Sequence, residues 1–166
     1  MNSKSGSKLI SSFCSMMFSC NNNIVDDMSD VHTPITRSYN MSMIHGKDTR
    51  PEIKVRKYLF SRGFRFRKND KRFIGKPDIV LPKYKAVIFV NGCFWHGHEG
   101  CKYFVLPKSN ITFWQNKISR NIERDKNAYQ SLESDGWKVI TIWECQLKKG
   151  QFEKTMSDLE LTIKDL

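Results

Sequence analysis

The spacing of apolar residues divides the chain into an unpatterned start and a patterned body. Residues 1 to about 27 are rich in serine and asparagine and hold no sustained period, which predicts a disordered extension. Met28 opens the patterned part, residues 28–166, read as one domain. There DTRPEIKVRKYLFSRG predicts the first firm helix. Thr49 suits its N-cap, Pro51 an early helical position, Glu52 the far half of a capping box, and Gly63 the stop. FRFRKND and KRFIGKPDIVLP then alternate or run apolar in the manner of strands. Asp78–Leu81 and Lys85–Val90 predict two strands joined by a short turn. Ile118, Ile122, Tyr129 and Leu132 keep helical spacing within a long helix over about Asn110–Asp135, which Gly136 ends. Trp137–Trp143 follows as a strong strand, and Gln151–Leu166 as a short amphipathic helix. A leading helix followed by strand, strand, helix and strand implies an α/β fold, a mixed sheet flanked by helices.

Charge adds a partner to that fold. The chain carries 28 Lys and Arg against 17 Asp and Glu, a net charge of +11 and a pI near 9.5. Such a surface is drawn to polyanions, of which nucleic acid is the commonest. The five cysteines, an odd number, lack the spacing of a secreted disulfide framework. Cys93, Cys101 and Cys145 share the body with histidines, and in a reducing cytosol that mixture points to metal. No apolar run is long enough to span a membrane. Serines interrupt the start, MNSKSGSKLISSFCSMMFSC, so that it carries only a faint targeting pattern.

Most of the candidate chemistry falls in VNGCFWHGHEGCKYF, residues 90–104. Cys93, His98 and Cys101 read C-x4-H-x2-C. Cys145 ends a strand able to lie beside residues 87–90 and supplies the fourth ligand of a closed tetrahedral zinc site; the alternative is three buried cysteines and an exposed histidine without metal. His96 is then left unligated: a base for water near neutral pH, a further ligand, or a solvent-exposed side chain. Asp78, at a strand mouth, is either a ligand for a hard cation such as Mg2+ or an ordinary turn aspartate. Asp125 sits between Ile122 and Tyr129 on the apolar side of the long helix and wants a partner, either a histidine to orient or Arg120 or Arg124. Glu52 serves the capping box, and serves a site as well only if that helix N-terminus faces it. Phe94, Trp95 and Trp114 either pack in the core or, beside basic residues, unstack bases. Arg37, Lys47, Arg50, Lys117, Arg120 and Arg124 suit phosphates.

Four blocks in order, DVHTPITRSYNMSMIHGKDTRPE, GKPDIVLPKYKAVIFVNGCFWHGHEGC, FWQNKISRNIERD and GWKVITIWEC, resemble the very short patch repair endonuclease family over about Met28 to Leu147. The resemblance implies a restriction-endonuclease-like fold with a structural Zn2+ and a Mg2+-dependent active site. It implies recognition of a T:G mismatch in double-stranded DNA, left when 5-methylcytosine deaminates. The nick falls 5′ to that thymine and starts short-patch resynthesis. Carried onto this sequence, the catalytic aspartate is Asp78, with the Val90 carbonyl as a second Mg2+ ligand. The base is His96, supported by Asp125, and the helix glutamate is Glu52. Cys93, His98, Cys101 and Cys145 hold the zinc. Phe94, Trp95 and Trp114 form the wedge, Met41 enters from the other groove, and Arg37, Lys117 and Asn121 join the DNA contacts.

This sequence departs from the family's best-known member at three points. Val90 replaces a threonine, a change that leaves the carbonyl available. Asn91 replaces a histidine and is left to position phosphate or water. One extra residue separates His98 from Cys101. The resemblance further implies a monomer at the bacterial nucleoid in the cytoplasm. It would be linked to a cytosine-5 DNA methyltransferase and to a repair polymerase and ligase. Two rival readings are a restriction-type endonuclease on matched or methylated DNA and a zinc-stapled DNA-binding module without catalysis.

Overall fold

The computed structural model describes residues 33–43 and 46–165, so the extension expected over residues 1–27 lies outside the described part. Helix α1, Pro34–Ser42, was not foreseen from apolar spacing. It starts by local chemistry: the Thr33 hydroxyl accepts the Thr36 N–H at 3.2 Å, and Pro34 opens the first turn. Helix α2, Arg50–Ser61, forms where the capping signals place it. The Glu52 carboxylate reaches back to the Thr49 N–H at 3.3 Å and the Thr49 hydroxyl at 2.7 Å.

Four strands make one mixed sheet in the order β1 (Arg67–Lys68), β2 (Ile79–Leu81), β3 (Ala86–Asn91), β4 (Lys138–Trp143). β1–β2 and β2–β3 are antiparallel, β3–β4 parallel. The long strands suggested by FRFRKND and KRFIGKPDIVLP are therefore mostly loop. Left-handed backbone at Asn69, Gly75 and Lys76 breaks the extended run, and only five of those residues pair. Pro82–Tyr84 turns β2 into β3 as a short 3-10 segment. A parallel β3–β4 pair needs a crossover, and the long helix α3, Ile111–Ser134, provides it. Helix α4, Phe152–Lys164, closes the chain.

β3 is the centre of the protein, buried over all six residues. Its side chains alternate between faces. Ala86, Ile88 and Val90 join Val55 and Leu59 of α2 and Met156, Leu159 and Ile163 of α4. Val87 and Phe89 join Val80 and Leu132 on the α3 side. The result is three layers, helices α2 and α4, the sheet, and helix α3. Each fully buried Leu or Ile contributes about 1.5–3 kcal/mol. One expectation fails here: Ile122, placed on the apolar stripe of α3, is 44% exposed. Ile122 borders an open hollow between α3 and the strand ends at Asn91 and Thr141, and the loop at Gly97 covers it only in part.

Candidate active site and metal centre

Asp78 stands just before β2, where the antiparallel ladder with β3 runs out. Its Oδ2 accepts the Val90 N–H at 2.7 Å, so the side chain continues the ladder by one rung. In such a ladder a residue's N–H and C=O point the same way. The Val90 carbonyl therefore faces Asp78 too. Burial pushes the Asp78 carboxyl up to about 6, and the Glu52 charge adds to it; the Val90 N–H, Arg56 and His96 oppose the rise. A carboxylate so placed, beside a carbonyl oxygen, is suited to a hard cation.

The α2 N-terminus faces this site, since Glu52 and Arg56 both act on Asp78. Glu52 is 4% exposed and fully engaged. Oε1 takes the two Thr49 donors, and Oε2 takes the Asp48 N–H at 2.9 Å and Arg56 Nη2 at 3.4 Å. The same Nη2 lies 2.7 Å from Asp48 Oδ1. Sequence reasoning missed Arg56, whose burial at the foot of the site carries no local signature.

His96 Nδ1 meets Asp125 Oδ2 at 2.5 Å. Burial by itself would raise Asp125, but the hydrogen bonds from His96 and Arg124 outweigh it and hold its carboxyl below the usual range. Both partners foreseen for Asp125 are thus present in kind: the histidine, and Arg124 with Nη2 at 2.9 Å. The pairing depends on Gly97, whose φ is +62°. A Cβ there would lie 2.6 Å from Ile122 Cδ1 and 3.1 Å from Ile118 Cγ2. Glycine takes this left-handed conformation without strain and lets the loop lie close on α3, where His96 reaches Asp125.

Asn91 ends β3 at 4% exposure, on the α3 face shared with Val87 and Phe89. Its Nδ2 donates to the Tyr129 hydroxyl at 2.9 Å. Asn91, His96, Asp125 and Tyr129 line one cavity of about 610 Å³. Tyr129 was read only as part of the apolar stripe. Its position four residues after Asp125, hence on the same helix face, was the available signal.

Cys93, His98, Cys101 and Cys145 place one ligand atom each within 4.8 Å of one another. Cys145 lies in the 3-10 turn Glu144–Leu147 that follows β4, not in the strand itself. His98 Nδ1 is 3.5 Å from both Cys93 Sγ and Cys145 Sγ. The sulfur–nitrogen edge of a zinc tetrahedron is about 3.5 Å, given Zn–S of about 2.3 Å and Zn–N of about 2.0 Å. The four residues fit a metal ion in size and in donor set. Burial pushes the Cys93 thiol up to about 12, whereas the Tyr103 N–H lowers the Cys101 thiol. Trp143 stacks on the His98 ring at 4.0 Å and backs the cluster from β4.

Next to this cluster Phe94, Trp95 and Trp114 form a half-buried aromatic group, with ring centroids 5.1–6.0 Å apart. Phe113, which sequence reasoning did not single out, is exposed and joins it at 5.2 Å from Trp114. Asn121 Nδ2 holds the Trp95 carbonyl at 2.9 Å, and its Oδ1 accepts from Arg124. Its amide thus ties the aromatic loop to α3. Lys117 and Arg120 are exposed on the neighbouring face of α3 and line a second hollow with Phe113. Met41 is exposed on α1, and Arg37 lies on the same helix. No helix among the described residues is long and apolar enough to cross a membrane.

A model of the family described as DNA mismatch endonuclease Vsr matches residues 29–102. The chain is 52% identical over 139 residues to the type II nicking enzyme V.NmeAIP of Neisseria meningitidis, covering 83% of this chain and 99% of that protein. It is 46% identical to the type II nicking enzyme V.XorIIP of Xanthomonas oryzae, over 72% of this chain and 88% of the relative. It is 42% identical to the DNA mismatch endonuclease Vsr of Escherichia coli, over 73% of this chain and 77% of the relative.

Proposed function

Because the chain belongs to the Vsr family of DNA endonucleases, we propose that it nicks one strand of duplex DNA at a T:G mismatch, 5′ to the mispaired thymine left by deamination of 5-methylcytosine. The carrying observation is the His96–Asp125 pair at 2.5 Å, set beside Asp78 and flanked by the aromatic group. A binding module has no use for an oriented base next to a raised carboxylate.

Asp78 and the Val90 carbonyl would hold Mg2+. Bound there, the ion would offset the negative charge that builds on the scissile phosphate and its leaving 3′ oxygen. Asp125 keeps the Nδ1–H of His96 on its own side, which leaves Nε2 as the acceptor. His96 then takes the proton of the attacking water at Nε2, and Asp125 stabilises the imidazolium that results. Glu52 and Arg56 fix the end of α2 against the site. Cys93, His98, Cys101 and Cys145 would hold Zn2+, and so bound would staple the loop carrying Phe94, Trp95 and His96 to the end of β4. The aromatic rings wedge into the duplex at the mispair. A wobble pair stacks less well than a matched one, so opening it costs less there.

The partner is double-stranded DNA, met by a monomer in the bacterial cytoplasm and linked to a cytosine-5 methyltransferase that creates the lesion. The test is a nicking assay on T:G and C:G duplexes of identical flanks, with Mg2+ or with EDTA. Nicking of the T:G duplex alone, and only with Mg2+, is expected. Equal cutting of both duplexes would favour a restriction-type nuclease. Binding without cleavage under every condition would leave a DNA-binding module.

A further inference from the structure

A buried asparagine amide is costly unless it finds a partner, and Asn91 finds the half-buried Tyr129 hydroxyl at 2.9 Å. As packing this pair is a poor choice. Two apolar side chains of the same shape would fill the space with no polar group to satisfy. The pair is also misplaced for packing. Asn91 closes a strand whose other five residues, Ala86 to Val90, are all apolar. The Tyr129 ring already packs on Phe89 at 4.7 Å, so its hydroxyl adds nothing to that contact.

What the two polar groups do share is the cavity of His96 and Asp125. Asn91 follows Val90 directly, so its amide stands between the strand end that faces Asp78 and the helix that carries Asp125. With one Nδ2–H given to Tyr129, the amide plane is fixed. Its second N–H and its Oδ1 are not used in that bond. Burial, the largest influence on Tyr129, raises its phenol above the ordinary value, so the hydroxyl stays protonated at neutral pH.

We propose that Tyr129 is a positioning residue for the nicking reaction. Its hydroxyl holds the Asn91 amide toward the His96–Asp125 pair, where Asn91 donates to a non-bridging oxygen of the scissile phosphate. This rests on the nuclease reading of the same site. Asn91 touches the substrate, and Tyr129 acts through Asn91.

The experiment is steady-state nicking of a T:G duplex in Mg2+ by the full chain and by Tyr129→Phe, Asn91→Ala and the double variant, each checked by thermal melting. Tyr129→Phe keeps the ring on Phe89 and should lower kcat about 10-fold, with KM for the duplex within about twofold. Asn91→Ala should lower kcat at least as far, and the double variant no further than Asn91→Ala alone. Asn91→Ala leaves Tyr129 in place and tests the phosphate contact by itself, and the thermal melts separate a folding defect in Tyr129→Phe from a loss of kcat. Wild-type kcat in either variant, a change confined to KM, or losses that multiply in the double variant would overturn the proposal. A wild-type chain that fails to nick would sink the nuclease reading and this inference together. A wild-type chain that nicks no faster than Tyr129→Phe would sink this inference alone.

Discussion

Glu52 offers the sharpest separation of support from chemistry, because each of its oxygens is already occupied. Glu52→Ala removes the side-chain half of the capping box, which costs about 1–2 kcal/mol. It also strips Arg56, only 7% exposed, of one carboxylate. Losing a buried charged partner outright costs about 3–5 kcal/mol. Here Asp48 stays at 2.7 Å, but it is more exposed than Glu52, so only part of that penalty applies. Nη1 of Arg56 is already buried without a hydrogen bond, so the guanidinium has no reserve partner. The two effects together come to about 3 kcal/mol, which lowers the melting temperature by about 10 °C in a body of this size. Thermal melting followed by circular dichroism reads this directly. Glu52→Gln, which can still accept at one oxygen, should lose about half as much. If Glu52→Ala melts within about 1 kcal/mol of the wild type, the cap and ion pair are not supporting the fold, and Glu52 belongs to the chemistry alone.

Four further outcomes follow from the same geometry. In EDTA, Asp78 titrates at about 6 in the folded protein against an ordinary 3.8. A raised folded pKa gives stability that is full below about 4 and lost as pH rises through about 6. Asp78→Asn should therefore melt higher than the wild type at pH 8, by about 2 kcal/mol, with the gap closing at pH 4; no gap at pH 8 would contradict it. His98→Ala or Cys145→Ser should release zinc, measured by atomic absorption, and lower the melting point. His96→Ala should abolish nicking and keep its zinc; loss of zinc from His96→Ala would exchange the roles of the two histidines. Gly97→Ala forces a Cβ onto Ile122 at a left-handed position costing about 1–2 kcal/mol. Displacing His96 in this way should cut nicking about 100-fold while the zinc stays bound; an unchanged rate would show that the loop relaxes freely.

Features set by near neighbours were legible in the sequence. The capping box at Thr49 and Glu52 needs only residues three apart, and β3 announces itself as an unbroken apolar run. The loop ligands Cys93, His98 and Cys101 lie within nine residues, and Cys145 follows once β3 and β4 pair. Features set by distant packing were not legible. Ile122 has the right period for the core, yet what covers it in part is a loop distant in sequence, in which Gly97 makes the contact. Arg67–Lys68 pairs as a strand although its neighbours read as a longer one, because the break at Gly75 depends on how that loop meets α3; a Cβ on Gly75 would lie 2.8 Å from Ala128 Cβ. Tyr129 was hidden for the opposite reason. Its ring fits the apolar stripe, and only its hydroxyl, paired with Asn91 across the chain, sets it apart.

Strand-resolved mapping of the product from an end-labelled T:G duplex in Mg2+, for the wild type and for Asp78→Ala, bears most directly on the central claim. The wild type should give a single nick 5′ to the mispaired thymine. Asp78→Ala should give none while still retarding the mismatched duplex in a gel. Nicking by Asp78→Ala at the wild-type rate would contradict the account of the site.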